Sequence, residues 1–193
     1  MKLQFLGCGD AFGSGGRLNS CFFVENRSAH ISNRLRRSGL IAIRRFGIDP
    51  NRIGTVFVSH LHADHFGGLP FLLLDAQLYS RRNAPLTLVG PPGFHRRLME
   101  AMELFFPGSS TVQRKFSAEI REIGVGETNT INGISVTTYL VEHASGAFLS
   151  GTRSPGQRAL KPGAPPLHTT RVASRTKLRS QFAFEAVVPL RPW

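Results

Sequence analysis

VFVSHLHADHFGGLP, residues 56–70, is the densest chemical signal in the chain. Val56, Phe57 and Val58 read as buried strand. His60 and His62 are two residues apart, so on an extended strand end both side chains leave on one side, while Asp64 and His65 turn in from the loop that follows. Four nitrogen and oxygen donors thus fall within six residues, a set that suits zinc. A zinc ion with an open coordination position lowers the pKa of bound water to about 7 and makes hydroxide available near neutral pH. The expectation is a metal site that carries out hydrolysis. Any one of these histidines, taken alone, is an ordinary hydrogen-bonded residue, and Asp64 alone suits a helix cap. Their grouping carries the reading.

Working outward, the segments on either side alternate between strand and helix patterns. KLQFLG reads as a strand, followed by a loop with Gly7, Gly9, Gly13, Gly15 and Gly16, in which backbone can approach other groups closely, and then by a strand at SCFFVE. The glycine spacing does not supply GxGxxG, and no GK pair follows, so a nucleotide cradle is not expected. Leu40, Ile41, Ile43 and Phe46 give a short helical face. A helix is expected from near Leu69, with Pro70 in its first turn and Leu72, Leu73, Ala76 and Tyr79 on its packed side. PLTLVG is a further strand, and PPGFHRRLMEAMELFF a further helix with Leu98, Met102 and Phe105 at helical spacing. KFSAEIREIG alternates like a strand, and Asn132–Gly133 turns the chain into ISVTTYLV, with Ile134, Val136, Thr138 and Leu140 on one side. The rhythm predicts a layered α/β domain with mixed sheets.

The length, 193 residues, suits about one domain. Lys and Arg total 24 against 12 Asp and Glu, a formal charge of +12 that raises nucleic acid as a partner. The excess is regional. Residues 27–45 hold six basic residues and no acid, and residues 148–193 hold eight with one acid, Glu185; the remainder is close to neutral. The second block is rich in Pro, Gly, Ser and Thr, so residues 150–180 are expected to be mostly irregular, with a short terminal strand through Phe182, Phe184 and Ala186. No apolar run approaches the roughly 18 residues needed to span a bilayer, and the N-terminus does not match an export signal, so no membrane is expected. Two cysteines, Cys8 and Cys21, fit buried thiols in a reducing cytoplasm, with a Cys–Cys metal pair as the alternative.

HLHADH stands in the place of the HxHxDH motif of the metallo-β-lactamase superfamily, which residues 3–143 resemble. FLGCGDAFGSGGRLNSCFF, residues 5–23, resembles the opening of its ribonuclease Z-like branch. The resemblance implies an αββα sandwich with one or two metal ions at the sheet ends, commonly zinc, although other divalent metals are compatible. It also implies that His60, His62 and His143 hold the first ion, that Asp64 and His65 hold the second, and that Asp64 doubles as the catalytic group orienting hydroxide. A phosphodiester substrate is favoured over a β-lactam, with RNA and small phosphodiesters, cyclic nucleotides included, left open; a homodimer is compatible.

Two departures accompany the match. The bridging Asp expected beyond the third His is missing, since Asp75 is the last aspartate, and His168 is the remaining histidine beyond His143. HISNRLRRSG, residues 30–39, replaces the family's short strand ending in Asp-Cys-Gly. Both departures coincide with the basic blocks, which predicts that residues 27–39 and 148–193 are altered or frame-shifted stretches. The expected organisation is therefore residues 1–147 as the N-terminal and central part of the sandwich, incomplete in its C-terminal half, with residues 148–193 as an atypical basic tail. His95 is explained by its helix, and Arg81 and Arg82 by a solvated basic turn. The expected function is a metal-dependent hydrolase of phosphodiesters working through metal-activated hydroxide. The alternatives are a catalytically impaired metal-binding remnant, or a basic nucleic-acid binder that uses Arg34, Arg36, Arg37 and the C-terminal arginines, with steep salt dependence.

Overall fold

In the computed structural model, residues 2–25, 30–33, 35, 37–140, 148–153 and 181–183 are described. The first sheet runs β1 (Lys2–Gly7), β2 (Cys21–Glu25), β3 (His30–Asn33), β4 (Thr55–Phe57), β5 (Leu86–Gly90) and β6 (Ala118–Glu122), in that spatial order. The pairs β1–β2 and β2–β3 are antiparallel, and β3 through β6 are parallel. Parallel neighbours need crossovers, and α1 (Gly39–Arg45), α2 (Ala63–Phe66) with α3 (Leu69–Leu78), and α4 (Phe94–Phe105) supply them. A second, antiparallel sheet is formed by β7 (Thr128–Ile131), β8 (Ile134–Leu140), β9 (Phe148–Arg153) and β10 (Gln181–Ala183).

β2, β4 and β5 read as nearly continuous apolar runs because both of their faces are covered. Successive residues point to opposite faces, so Phe23, Val56, Val58 and Leu88 join the helix-side core with Ile43, Leu72, Leu98 and Met102. Val24, Phe57 and Val89 join a second core against Ile131 and Val136 of the other sheet. Helices, a six-stranded sheet and a four-stranded sheet are thus three successive layers of the expected sandwich. Among the described residues no helix is long and apolar enough to cross a membrane.

The β7–β8 turn also ties the sheets together. Asn132 and Gly133 both take positive φ, 48° and 78°, the geometry of a tight hairpin turn. The Asn132 side chain then donates from Nδ2 to Thr55 Oγ1 at 2.9 Å and Thr87 Oγ1 at 3.0 Å.

Several expectations change. HISN, read as an interruption, pairs antiparallel with β2 and parallel with β4, so it fills the strand position between them. Residues 150–153, expected to be irregular, belong to β9, whose pairing with β8 satisfies backbone groups whatever the side chains. Ile41 and Phe46 are exposed because the seven-residue α1 buries a stripe through Gly39, Ala42 and Ile43. Tyr79 is 73% exposed at the end of α3, its ring 4.4 Å below the Arg44 guanidinium, and Phe105 ends α4 beside Phe71. Cys8 is exposed, while Cys21 is buried.

The glycine loop behaves as expected. A side chain at Gly9 would stand 2.8 Å from the Leu18 carbonyl, too close for any Cβ. Asp10 closes the loop by accepting from the backbone N–H groups of Phe12 and Ser14, both at 3.0 Å. These bonds, those from Ser14 foremost, favour the ionised carboxylate and lower its pKa from 3.8 to about 2. A depressed folded-state pKa adds stability above the unfolded value and loses it as pH falls through about 2. An NMR titration of the Asp10 carboxyl is therefore expected to show a midpoint near 2 in the folded protein, and Asn at this position is expected to remove that acid step.

Candidate metal centre

β4 ends at Phe57, although Val58 still donates its N–H to Val89 O at 2.8 Å, and the chain then leaves the sheet. His60 and His62 stand on the loop beyond the strand, not on its extended end as expected, because the parallel ladder stops there. His62 caps α2 with extended backbone (φ −74°, ψ 141°), and Asp64 and His65 lie on α2 itself. Asp64 in the first turn of that helix is favourably placed against the helix dipole. The turn out of α2 requires glycine at position 67, where a Cβ would overlap the Ala63 carbonyl.

The motif's side chains come together. The rings of His60 and His62 have centroids 5.0 Å apart, and those of His60 and His65 3.6 Å apart. Asp64 Oδ2 lies 3.1 Å from His65 Nε2. His60 and His65 are 5% and 7% exposed, whereas His62 is exposed at the rim. Beneath them, Ser59 Oγ is 3.1 Å from His60 Nδ1 and 3.4 Å from His65 Nδ1. With Ser59 at Nδ1, Nε2 is the nitrogen of His60 that a cation would take, the usual division of labour in histidine metal sites, whereas Nε2 of His65 faces Asp64. The donor set, imidazoles and a carboxylate, fits zinc. Among the described residues no three His, Cys, Asp or Glu side chains form a ready-made cation cage. His143 and His168 lie outside the described residues.

Sequence reasoning missed Ser59, although it directly precedes His60 in the quoted stretch. It also misassigned Arg82, which is 2% exposed and belongs to no solvated turn. Its guanidinium donates to four backbone carbonyls, Ala84, Ile53 and Pro85 at 2.7 Å and Pro50 at 3.3 Å, and desolvation lowers its pKa. His95 is exposed on α4, as its helix pattern implied. Arg44, Arg52, Arg96, Arg97 and Arg121 each pair with an acid, in keeping with the nearly neutral main part of the chain.

The sequence profile of a family described as "Anti-Pycsar protein Apyc1" matches residues 1–154. Ribonuclease BN of Escherichia coli is 38% identical over 95 residues, covering 49% of this chain and 29% of that protein, and Ribonuclease BN of Shigella boydii serotype 18 gives the same figures. The chain spans less than a third of the length of these curated relatives. Among solved structures, human tRNase Z, short form, superposes with a TM-score of 0.67 at 22% identity, covering 81% of this chain and 66% of that one. A diphosphatase from the PhnP family superposes with a TM-score of 0.59 at 17% identity, covering 78% and 61%. At these identities the structural likeness is one of fold, and the fold is the metallo-β-lactamase sandwich.

Proposed function

We infer, for a chain that belongs to the Anti-Pycsar protein Apyc1 family and to the ribonuclease Z-like branch of the metallo-β-lactamase superfamily, a metal-dependent hydrolase of phosphodiesters. The observation that carries this reading is the packing of His60 against His62 and His65 just beyond β4, with Asp64 against His65 and Ser59 beneath His60 and His65. In this reading His60 and His62, with His143, hold one ion, and Asp64 and His65 hold a second, zinc or another divalent metal. When bound, zinc supplies Lewis acidity towards the phosphoryl group and acidifies a coordinated water. Ser59 keeps the two buried rings oriented through Nδ1. The Asp64 carboxylate orients the attacking water and holds its proton. A cavity of about 20 Å³ beside Ser59, bordered by Phe57, Val89, Ile123 and Val136, has room for about one water. In this reading substrate approaches over the exposed His62 edge.

The names of the relatives, ribonuclease, tRNase and diphosphatase, favour phosphoryl substrates over β-lactams. A second reading, a catalytically impaired metal-binding remnant, draws on the absence of any aspartate after Asp75, where the superfamily's bridging Asp would stand. Metal titration of the purified protein, with hydrolysis of bis(4-nitrophenyl) phosphate followed in parallel, separates the two. The hydrolase binds about two metals and turns over; the remnant binds one or fewer and does not. RNA and a small cyclic phosphodiester, assayed side by side, then identify the substrate class.

A further inference from the structure

The motif leans on a second element that the reading above leaves unused, the turn between β5 and α4. Gly93, at φ 84°, caps α4, and a Cβ placed on it would stand 3.8 Å from Leu61 Cδ1, the residue between His60 and His62. The next residue, Phe94, is wholly buried and meets Phe66 of α2 edge-on, with centroids 6.5 Å apart. Phe66 directly follows His65, so this one turn abuts both halves of the motif, the histidine loop through Leu61 and the Asp64–His65 helix through Phe66. Gly90 lets the turn close, since a Cβ there would overlap the Phe94 ring.

The turn is itself held from outside. Gly93 has no side chain with which to cap α4, and Glu122, the last residue of β6, supplies the cap. Its Oε2 accepts from Gly93 N–H at 2.9 Å and its Oε1 from His95 N–H at 2.7 Å. A carboxylate bound to two of the first amides of a helix also meets the positive end of the helix dipole. The neighbouring Ile123 N–H reaches Gly90 O at 2.9 Å and anchors the other end of the turn to the same strand exit.

We propose that Glu122 is a positioning residue for the candidate centre: by clamping residues 90–95 it fixes the surface against which Leu61 and Phe66 seat the four motif side chains. This rests on the reading of the cluster as a metal centre. A residue that acts only as a helix cap would lower thermal stability slightly and leave metal affinity alone. A residue that positions the support of the motif lowers metal affinity as well, by less than the about 10–100-fold that loss of a direct partner of a ligand costs.

The test compares the full chain with Glu122→Ala and Glu122→Gln, using Co²⁺ as the probe, read by its absorption spectrum, and amide hydrogen exchange of residues 60–66 in the metal-free protein. The expected result is Co²⁺ affinity a few-fold weaker in Glu122→Ala, short of the about 10–100-fold that loss of a direct partner of a ligand costs, with Glu122→Gln, which keeps one acceptor oxygen, in between, and faster exchange in the same order. Equal affinity in all three proteins overturns the proposal. If the unaltered chain binds no Co²⁺, the metal reading fails by itself and exchange decides: faster exchange at 60–66 in Glu122→Ala sustains the positioning role, and unchanged exchange overturns it. Should Glu122→Ala not fold, Glu122→Gln against the unaltered chain decides by the same criteria.

Discussion

Replacing His62 with alanine is expected to abolish metal-dependent phosphodiester hydrolysis while leaving the fold intact. His62 is exposed at the rim of the cluster, so its removal opens no cavity in either core. It takes away one of the few imidazoles that a cation can use. Loss of an outer-shell partner alone costs about 10–100-fold in metal affinity or activity, so loss of a direct ligand should cost at least about 100-fold. His60→Ala is expected to match that loss and to lower stability as well, because His60 is buried against His65 and Ser59. Hydrolysis of bis(4-nitrophenyl) phosphate and bound metal per chain, measured on the same samples, check both variants. Preserved activity in both would reject the proposed centre.

Arg82→Ala is expected to give the largest loss of stability. The guanidinium joins the turn before β4, through the carbonyls of Pro50 and Ile53, to the turn before β5, through those of Ala84 and Pro85. Alanine leaves the carbonyls of buried Pro50 and Ile53 without that donor, at about 1–3 kcal/mol each, whereas those of Ala84 and Pro85, on exposed residues, can turn to water. For a chain of this size that lowers the melting temperature by roughly 10 °C. Lysine should recover little, since a single ammonium cannot span four acceptors that a planar fork reaches at once. Urea denaturation of the two variants against the unaltered chain measures the effect. A midpoint unchanged in Arg82→Ala would mean that water satisfies those carbonyls.

The alternation of strand and helix was legible along most of the described chain because each element carries its own pattern. The apolar runs TVFV and LTLVG announce strands buried on both faces, and Asn132–Gly133 announces a hairpin. Patterns were less informative at helix ends, where Tyr79 and Phe105 keep the helical spacing yet stay exposed, Tyr79 under the Arg44 guanidinium and Phe105 beside Phe71, so exposure follows from where the helix stops. The strand at residues 30–33 was hidden for a related reason. Its place is set by backbone pairing with β2 and β4, which does not depend on an apolar side-chain pattern.

The candidate site divides in the same way. The donors His60, His62, Asp64 and His65 were legible because they lie within six residues, where local chain geometry alone brings them close. That they leave the strand and sit on a loop and a short helix was not, since the end of β4 depends on how far its parallel partner β5 runs beside it. By itself the sequence determined the elements and the motif, through short-range periodicity and spacing. Only the tertiary structure decided that Arg82 is a buried tie, that Ser59 serves two rings, and that Glu122 holds the turn behind the motif. The bonds of Arg82 to Pro50 and of Glu122 to Gly93 cross 32 and 29 residues, and even the Ser59–His65 approach needs the turn at 60–64 to be formed. Such partners are chosen by which ends of neighbouring strands come to lie side by side, a property of the folded sheet and not of any local stretch of chain.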